Sequence, residues 1–181
     1  MTGPLQDVQA RYPMAPLIRF TLISLYLALV VPLPVFATGT LQAMLWLALP
    51  LGLALVLAAT SEQVELSGSS IQVGYPRWCA WLLRRSWSLP WSAIRGLTPV
   101  ATSQGGRVFY VRSPEGSAFL LPQRVANFDD FLSRFGAATG IDTTAIGRIS
   151  PPWTYQLLAG FSATLLLAEL AFGLGIAARG L

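Results

Sequence analysis

The chain has 181 residues, a length that suits a single domain, yet 54% of them are hydrophobic and only 11% charged, less than half the roughly 25% of an ordinary soluble domain. All twelve basic residues are arginine, eight residues are acidic, the net charge is +4, and histidine and lysine are absent, with Cys79 the single cysteine. This composition excludes a disordered chain, His-dependent triads and imidazole metal sites, and an intrachain disulfide or CxxC pair.

In chain order, residues 1–16 form a short polar segment. Residues 20–61 then run for 42 positions without a charge. A bilayer core about 30 Å thick takes roughly 20 helical residues, so this run predicts two spans, residues 17–36 and 41–59, making a transmembrane helical hairpin over 17–60. The break is expected at Ala37-Thr38-Gly39-Thr40. Pro32 and Pro34 should kink or fray the last turns of the first span. Arg19, the apolar run after it and Val35-Phe36-Ala37 also read as a signal peptide cleaved after Ala37, although the stretch before the apolar run is long for one.

Residues 61–149 change to arginine, serine, glycine and short alternating runs. Val64-Glu65-Leu66 and Ser70-Ile71-Gln72-Val73-Gly74-Tyr75 flank Ser67-Gly68-Ser69, a hairpin signal, with Ile71, Val73 and Tyr75 on one face. Trp87, Leu89 and Trp91 alternate inward along a strand that Pro90 confines to an edge or makes bulge. Strands at 107–112 and 117–121 flank Pro114-Glu115-Gly116, and Gly105-Gly106 reads as a hairpin pair. A helix follows, with Asn127 as N-cap, Asp129 and Asp130 in its first turn, Gly136 as a stop, and Phe128, Phe131, Leu132 and Phe135 as one apolar stripe. Residues 150–181 hold a third span, about 153–177, introduced by Pro151-Pro152-Trp153 and interrupted by Glu169. The fold class is therefore an α+β membrane protein: hairpin, small sheet domain closed by one helix, and C-terminal transmembrane helix.

The hairpin at 64–75, the segment Leu89-Pro90-Trp91-Ser92-Ala93-Ile94, the Tyr110-Val111-Arg112 strand, and Leu120-Leu121-Pro122 leading into Asn127-Phe128-Asp129-Asp130-Phe131-Leu132 resemble the bacterial pleckstrin-homology-like (PH-like) membrane proteins. The resemblance covers about half the chain. It implies a transmembrane hairpin followed by a partly open β-barrel closed by a helix, and a module that faces a protein or a membrane, with no catalytic residues to carry over.

Three features are candidates for function. Arg77, Trp78, Trp81, Arg84 and Arg85 interleave aromatics with cations. They read either as a membrane-surface or partner contact, with tryptophan at headgroup level and about 1 kcal/mol per arginine from anionic lipid, or as strands whose tryptophans fill the barrel. Glu169 costs roughly 2.5–3.5 kcal/mol at a span centre. It should lie past the midplane, where Gln42 is at a compatible depth to hydrogen-bond it, and it serves either as a protonated carboxyl that glues helices together or as a contact for a ligand, pigment or partner subunit. Finally, Ala159 with Ala163 and Gly160 with Thr164, then Gly173 and Gly175, offer small-residue faces for helix packing, within the chain or against a partner subunit.

Eleven arginines flank the spans on one side and Arg179 alone lies on the other, so the N-terminus and the middle domain should be cytoplasmic in a bacterial inner membrane or a thylakoid. No P-loop, GxSxG or HExxH motif is present. The expectation is a non-enzymatic membrane scaffold or assembly factor that serves a membrane complex such as a photosystem. Its partners would be lipid and a membrane protein, with no cofactor, no metal and no nucleic acid, a domain charge of +3 being too small for a nucleic-acid footprint. The alternatives are an anionic-lipid-responsive module, or a small-molecule carrier that uses Glu169.

Overall fold

The first element is an unexpected one: residues Val8–Pro13 form strand β1, ahead of the apolar helices. The computed structural model describes residues 8–83, 86–103, 105–148 and 152–179. The chain divides into two compact units. One holds β1 and the chain from Ser61 onward through the amphipathic helix; the other holds the long apolar helices.

In the polar unit, β2 (Gln63–Ser67) and β3 (Ser70–Gly74) form the expected hairpin, with Val64 opposite Val73 and Leu66 opposite Ile71. Because side chains alternate along a strand, those four fall on one face, and all are buried. The turn is fixed by Ser67, whose Oγ accepts from the Ser70 amide at 3.0 Å. β1 pairs antiparallel with β2 on one side, and after a short helical turn α4 (Arg77–Ala80), β4 (Trp87–Pro90) pairs with β3 on the other. The four-stranded sheet thus runs β1-β2-β3-β4, and Pro90 ends an outer strand, where its missing N–H disturbs no ladder.

A second, three-stranded antiparallel sheet comprises β5 (Gly96–Ala101), β6 (Arg107–Arg112) and β7 (Ala118–Leu120). Gly105, at φ +77°, lies in the β5–β6 connection, and Gly116, at φ +81°, in the β6–β7 turn. Trp87 of the first sheet meets Phe119 of the second with ring centroids 5.2 Å apart. After β7 the chain returns to β1: Met14 bridges Val125, the Ala15 amide donates to Arg124 O at 2.8 Å, and the Ala126 amide donates to Pro13 O at 2.8 Å.

Helix α5 (Phe128–Thr139) closes this unit with its predicted stripe, Phe128, Phe131, Leu132 and Phe135, all buried. Each such side chain contributes about 1.5–3 kcal/mol by leaving water. They share one core with Tyr12, Val64, Ile71, Val111 and Leu121. Both ends of α5 differ from expectation. Asn127 makes no side-chain cap bond; it turns the chain through the left-handed region at φ 49°, which asparagine tolerates. The helix also runs past Gly136 and stops at Gly140, whose φ of 71° a helix cannot continue.

The second unit contains α1 (Pro16–Val30), the short α2 (Pro32–Phe36), α3 (Gly39–Ala59) and α6 (Pro152–Arg179). Three stretches, Pro16–Phe36, Gly39–Ala59 and Trp153–Gly173, are long and apolar enough to cross a membrane. Proline divides the first of them, as expected, since Pro32 brings no N–H to the ladder. α1 packs on α6 through Thr21, Ser24 and Ala28, all buried. The Thr21 hydroxyl lies 2.7 Å from Leu17 O and 3.3 Å from Tyr155 O. On α6 the fully buried small residue is Ser162, which donates to Leu158 O. Ala159 shares the side of α6 that carries Tyr155 and Ser162 and is half-buried, whereas Gly160, Ala163, Thr164 and Gly173 are exposed and lie outside the packing within this chain. Gly175 has no described side chain.

Candidate functional site

Pro76 decides what the tryptophan-rich segment becomes. At φ −56° and ψ 152° it is the N-cap of α4, and a proline at a helix start forfeits no needed N–H. The segment therefore folds as a helical turn, with the Cys79 and Ala80 amides donating to Pro76 O at 3.1 and 2.9 Å. A strand would have separated Trp78 from Trp81 less evenly; a turn places residues three and four apart on one side. Cys79 points inward, 1% exposed, while Trp78, Trp81 and Leu82 are 55%, 71% and 44% exposed. The reading in which these tryptophans fill the barrel is thereby corrected; Trp87 and Trp91 pack against the core instead. The Trp81 indole donates to Trp78 O at 2.9 Å, so the two rings belong to one braced projection.

Arg77 opens the same turn and is exposed, without an ion pair among the described residues. It borders a polar groove of about 630 Å³ lined also by Arg11, Gln63, Glu65, Gln72 and Tyr75. Strand register builds the floor: Arg11 lies opposite Glu65, which lies opposite Gln72. Arg11 donates to Glu65 Oε1 from Nε at 2.8 Å, and Gln63 donates to the same oxygen at 3.2 Å. The groove therefore carries two arginines against one carboxylate. The polar positions of the β2–β3 alternation signalled this face, but Arg11 could not be joined to it without β1. Arg84 and Arg85, singled out from the sequence, lie outside the described residues.

A smaller cavity of about 170 Å³ touches Met14, Glu62, Gln123 and Arg124. Burial pushes the Glu62 carboxyl up, and the Arg124 charge opposes that shift. Gln123 spends its amide on Arg107 O and Gly147 O, at 3.2 and 2.7 Å.

In the apolar unit the expected bond between Gln42 and Glu169 does not form. Gln42 instead donates to Pro34 O at 3.1 Å, which satisfies a carbonyl at the end of the proline-broken helix. Glu169 lines an apolar groove with Pro32, Val35 and Phe36. Contacts of Thr21 with Tyr155 and of Phe36 with Phe172 show α1–α2 and α6 running parallel in near-constant register. Glu169 is thus level with α2, ten residues before Arg179, the next charge in the chain, or about 15 Å along the helix axis.

Neither a family model nor a solved structure matches the chain. It is 42% identical over 166 residues to the Synechocystis sp. protein named "Uncharacterized protein slr0269", covering 88% of this chain and 83% of that one. At that identity and coverage the chain belongs to the family of this cyanobacterial protein.

Proposed function

We propose that the chain is a non-enzymatic integral membrane scaffold whose polar unit is a PH-like module lying against the anionic surface of its own bilayer through α4. The observation that carries this reading is the exposure of Trp78, Trp81 and Leu82 on a turn whose fourth side, Cys79, is locked into the core. Tryptophan concentrates at the headgroup level, and neighbouring arginine gains about 1 kcal/mol near anionic lipid. Arg77 supplies that charge on the turn, and Arg84 and Arg85 follow it in sequence.

The PH-like reading is supported by a meander of four strands, a meander of three, and a helix after the last strand. Integral insertion is supported by the three apolar helices. An even number of crossings by α1–α3 is supported by the pairing of β1 with β2, which brings the chain back to where it left. The arginine count supports a cytoplasmic position for the polar unit. Assembly of a larger membrane complex, a photosystem among them, is the use we propose for it.

The test places a nitroxide on Trp81→Cys, with buried Cys79 replaced by alanine, in the full chain reconstituted into phosphatidylglycerol nanodiscs. Oxygen dissolved in lipid should relax the label more than an aqueous nickel chelate does, and high salt should reverse that order. A label as open to nickel as one at Glu115→Cys, in the exposed β6–β7 turn, would overturn the reading.

A further inference from the structure

We propose that the groove between α2 and α6 is a binding site for an amphiphilic cation, an ammonium group on an apolar body, with Glu169 as its counter-charge. The groove is about 430 Å³, within the roughly 300–1,000 Å³ of small-ligand sites. Its walls are apolar: Pro32, Val35 and Phe36 on one side, Leu165 and Phe172 on the other. One residue breaks that character, Glu169, and among the described residues its carboxyl has neither an ion pair nor a hydrogen bond. Gln42, the nearest side chain in depth able to donate, is committed to Pro34 O.

Along the α2 wall the Val31 amide is spent on Leu27 O, the Ala37 amide on Leu33 O, and Pro32 and Pro34 have none. A ligand that offers N–H donors and positive charge finds a carboxylate in a medium where charge attraction is weakly screened. An apolar body then covers the aromatic and aliphatic walls. Ionisable groups within a spanning helix face a partner or a pathway rather than lipid.

The inference is independent of the α4 reading and is tested apart from it. The full chain in phosphatidylcholine nanodiscs is photolabelled with dodecylamine that carries a chain diazirine, and with the matching dodecanol. The amine should label residues 32–36 and 165–173 saturably, and unlabelled dodecylamine should compete. Glu169→Gln should cut those adducts at least about tenfold, as loss of a charged hydrogen-bond partner implies, while Glu169→Asp retains part of them. Leu165→Trp, which fills the groove with the carboxyl intact, should block labelling as well and guards against misfolding of the Gln variant. Equal labelling by dodecanol, adducts spread over all three helices, or absence of saturable labelling overturns the proposal.

Discussion

The phenol of Tyr12 ties the first strand of the chain to the helix that closes its domain, across more than a hundred residues. Its ring is 4% exposed and meets Phe131 edge-on at 5.5 Å, while its hydroxyl donates to Asp130 Oδ2 at 2.5 Å. Burial, then the Asp130 bond and charge, push the Tyr12 hydroxyl up to about 12. The Asp130 carboxyl is held below the usual range first by that same bond and then by Arg134, whose Nε lies 3.1 Å away. The two shifts set opposite limits. A raised phenol gives stability that is complete below about pH 10 and is lost as pH climbs through about 12. A depressed carboxylate gives stability that is present above about pH 4 and is lost as pH falls through its folded value. We expect Tyr12→Phe to cost about 1 kcal/mol at neutral pH, roughly 4 °C in the melting of a unit this size, measured on the full chain in detergent. The gap to the parent should narrow at both pH extremes. A gap that stays constant from acid to alkali would show that the hydroxyl contributes nothing through Asp130.

At the scale of elements, a bilayer around these helices would impose its own packing rule: with no water available, a polar side chain between helices has to find a protein partner. Tyr26 finds one in Leu49 O, at 2.7 Å, in the middle of α3, which continues unbroken through Pro50. The ring lies over Gly52, where an added Cβ would overlap the hydroxyl and approach Cζ to 2.9 Å. Gly52→Ala should therefore loosen α1 from α3 by about 1–3 kcal/mol. Adding Tyr26→Phe, which shortens the ring, should recover part of that loss. Unfolding by rising SDS fraction in mixed micelles measures all three variants, and additive effects would mean that the two residues do not meet.

These helices were legible in sequence because charge vanishes over a bilayer's length. β2, β3, β6 and the stripe of α5 were legible because each repeats with its own period. β1 was not, because its pairing partner lies beyond the whole hairpin and its six residues include Arg11 and Pro13. β5 was hidden by Gly96 and Pro99, residues that strands ordinarily avoid. Within the candidate site, the residue types were visible but not their direction. A strand and a helical turn expose different members of Trp78-Cys79-Ala80-Trp81, and only the turn started by Pro76 leaves both indoles outside. The choice between Gln42 and Glu169 as partners likewise turned on a local carbonyl, Pro34 O, that residue types do not reveal.

Over the whole molecule, the hairpin α1–α3 is an insertion between two paired strands of the polar unit rather than a leader in front of it. Pro13 sits opposite Gln63 and Tyr12 opposite Val64, so the insertion must begin and end at one place. This arrangement makes β1 part of the domain core through Tyr12, and a chain cut after Ala37 would lose that strand. Sidedness then follows from one constraint. If α1–α3 cross twice and α6 crosses once, residues 8–15 and 61–148 share a face, Thr38 lies on the other, and residues beyond α6 join Thr38. Single cysteines at Glu115 and Thr38, each with Cys79 replaced by alanine, report this with a membrane-impermeant maleimide on sealed vesicles. Under the proposed topology, in which the side flanked by eleven of the twelve arginines is cytoplasmic, Glu115→Cys should react in inside-out vesicles alone and Thr38→Cys in right-side-out vesicles alone. Reaction of both from the same side would mean that the hairpin does not cross, and the three apolar helices would then need a solvent other than lipid.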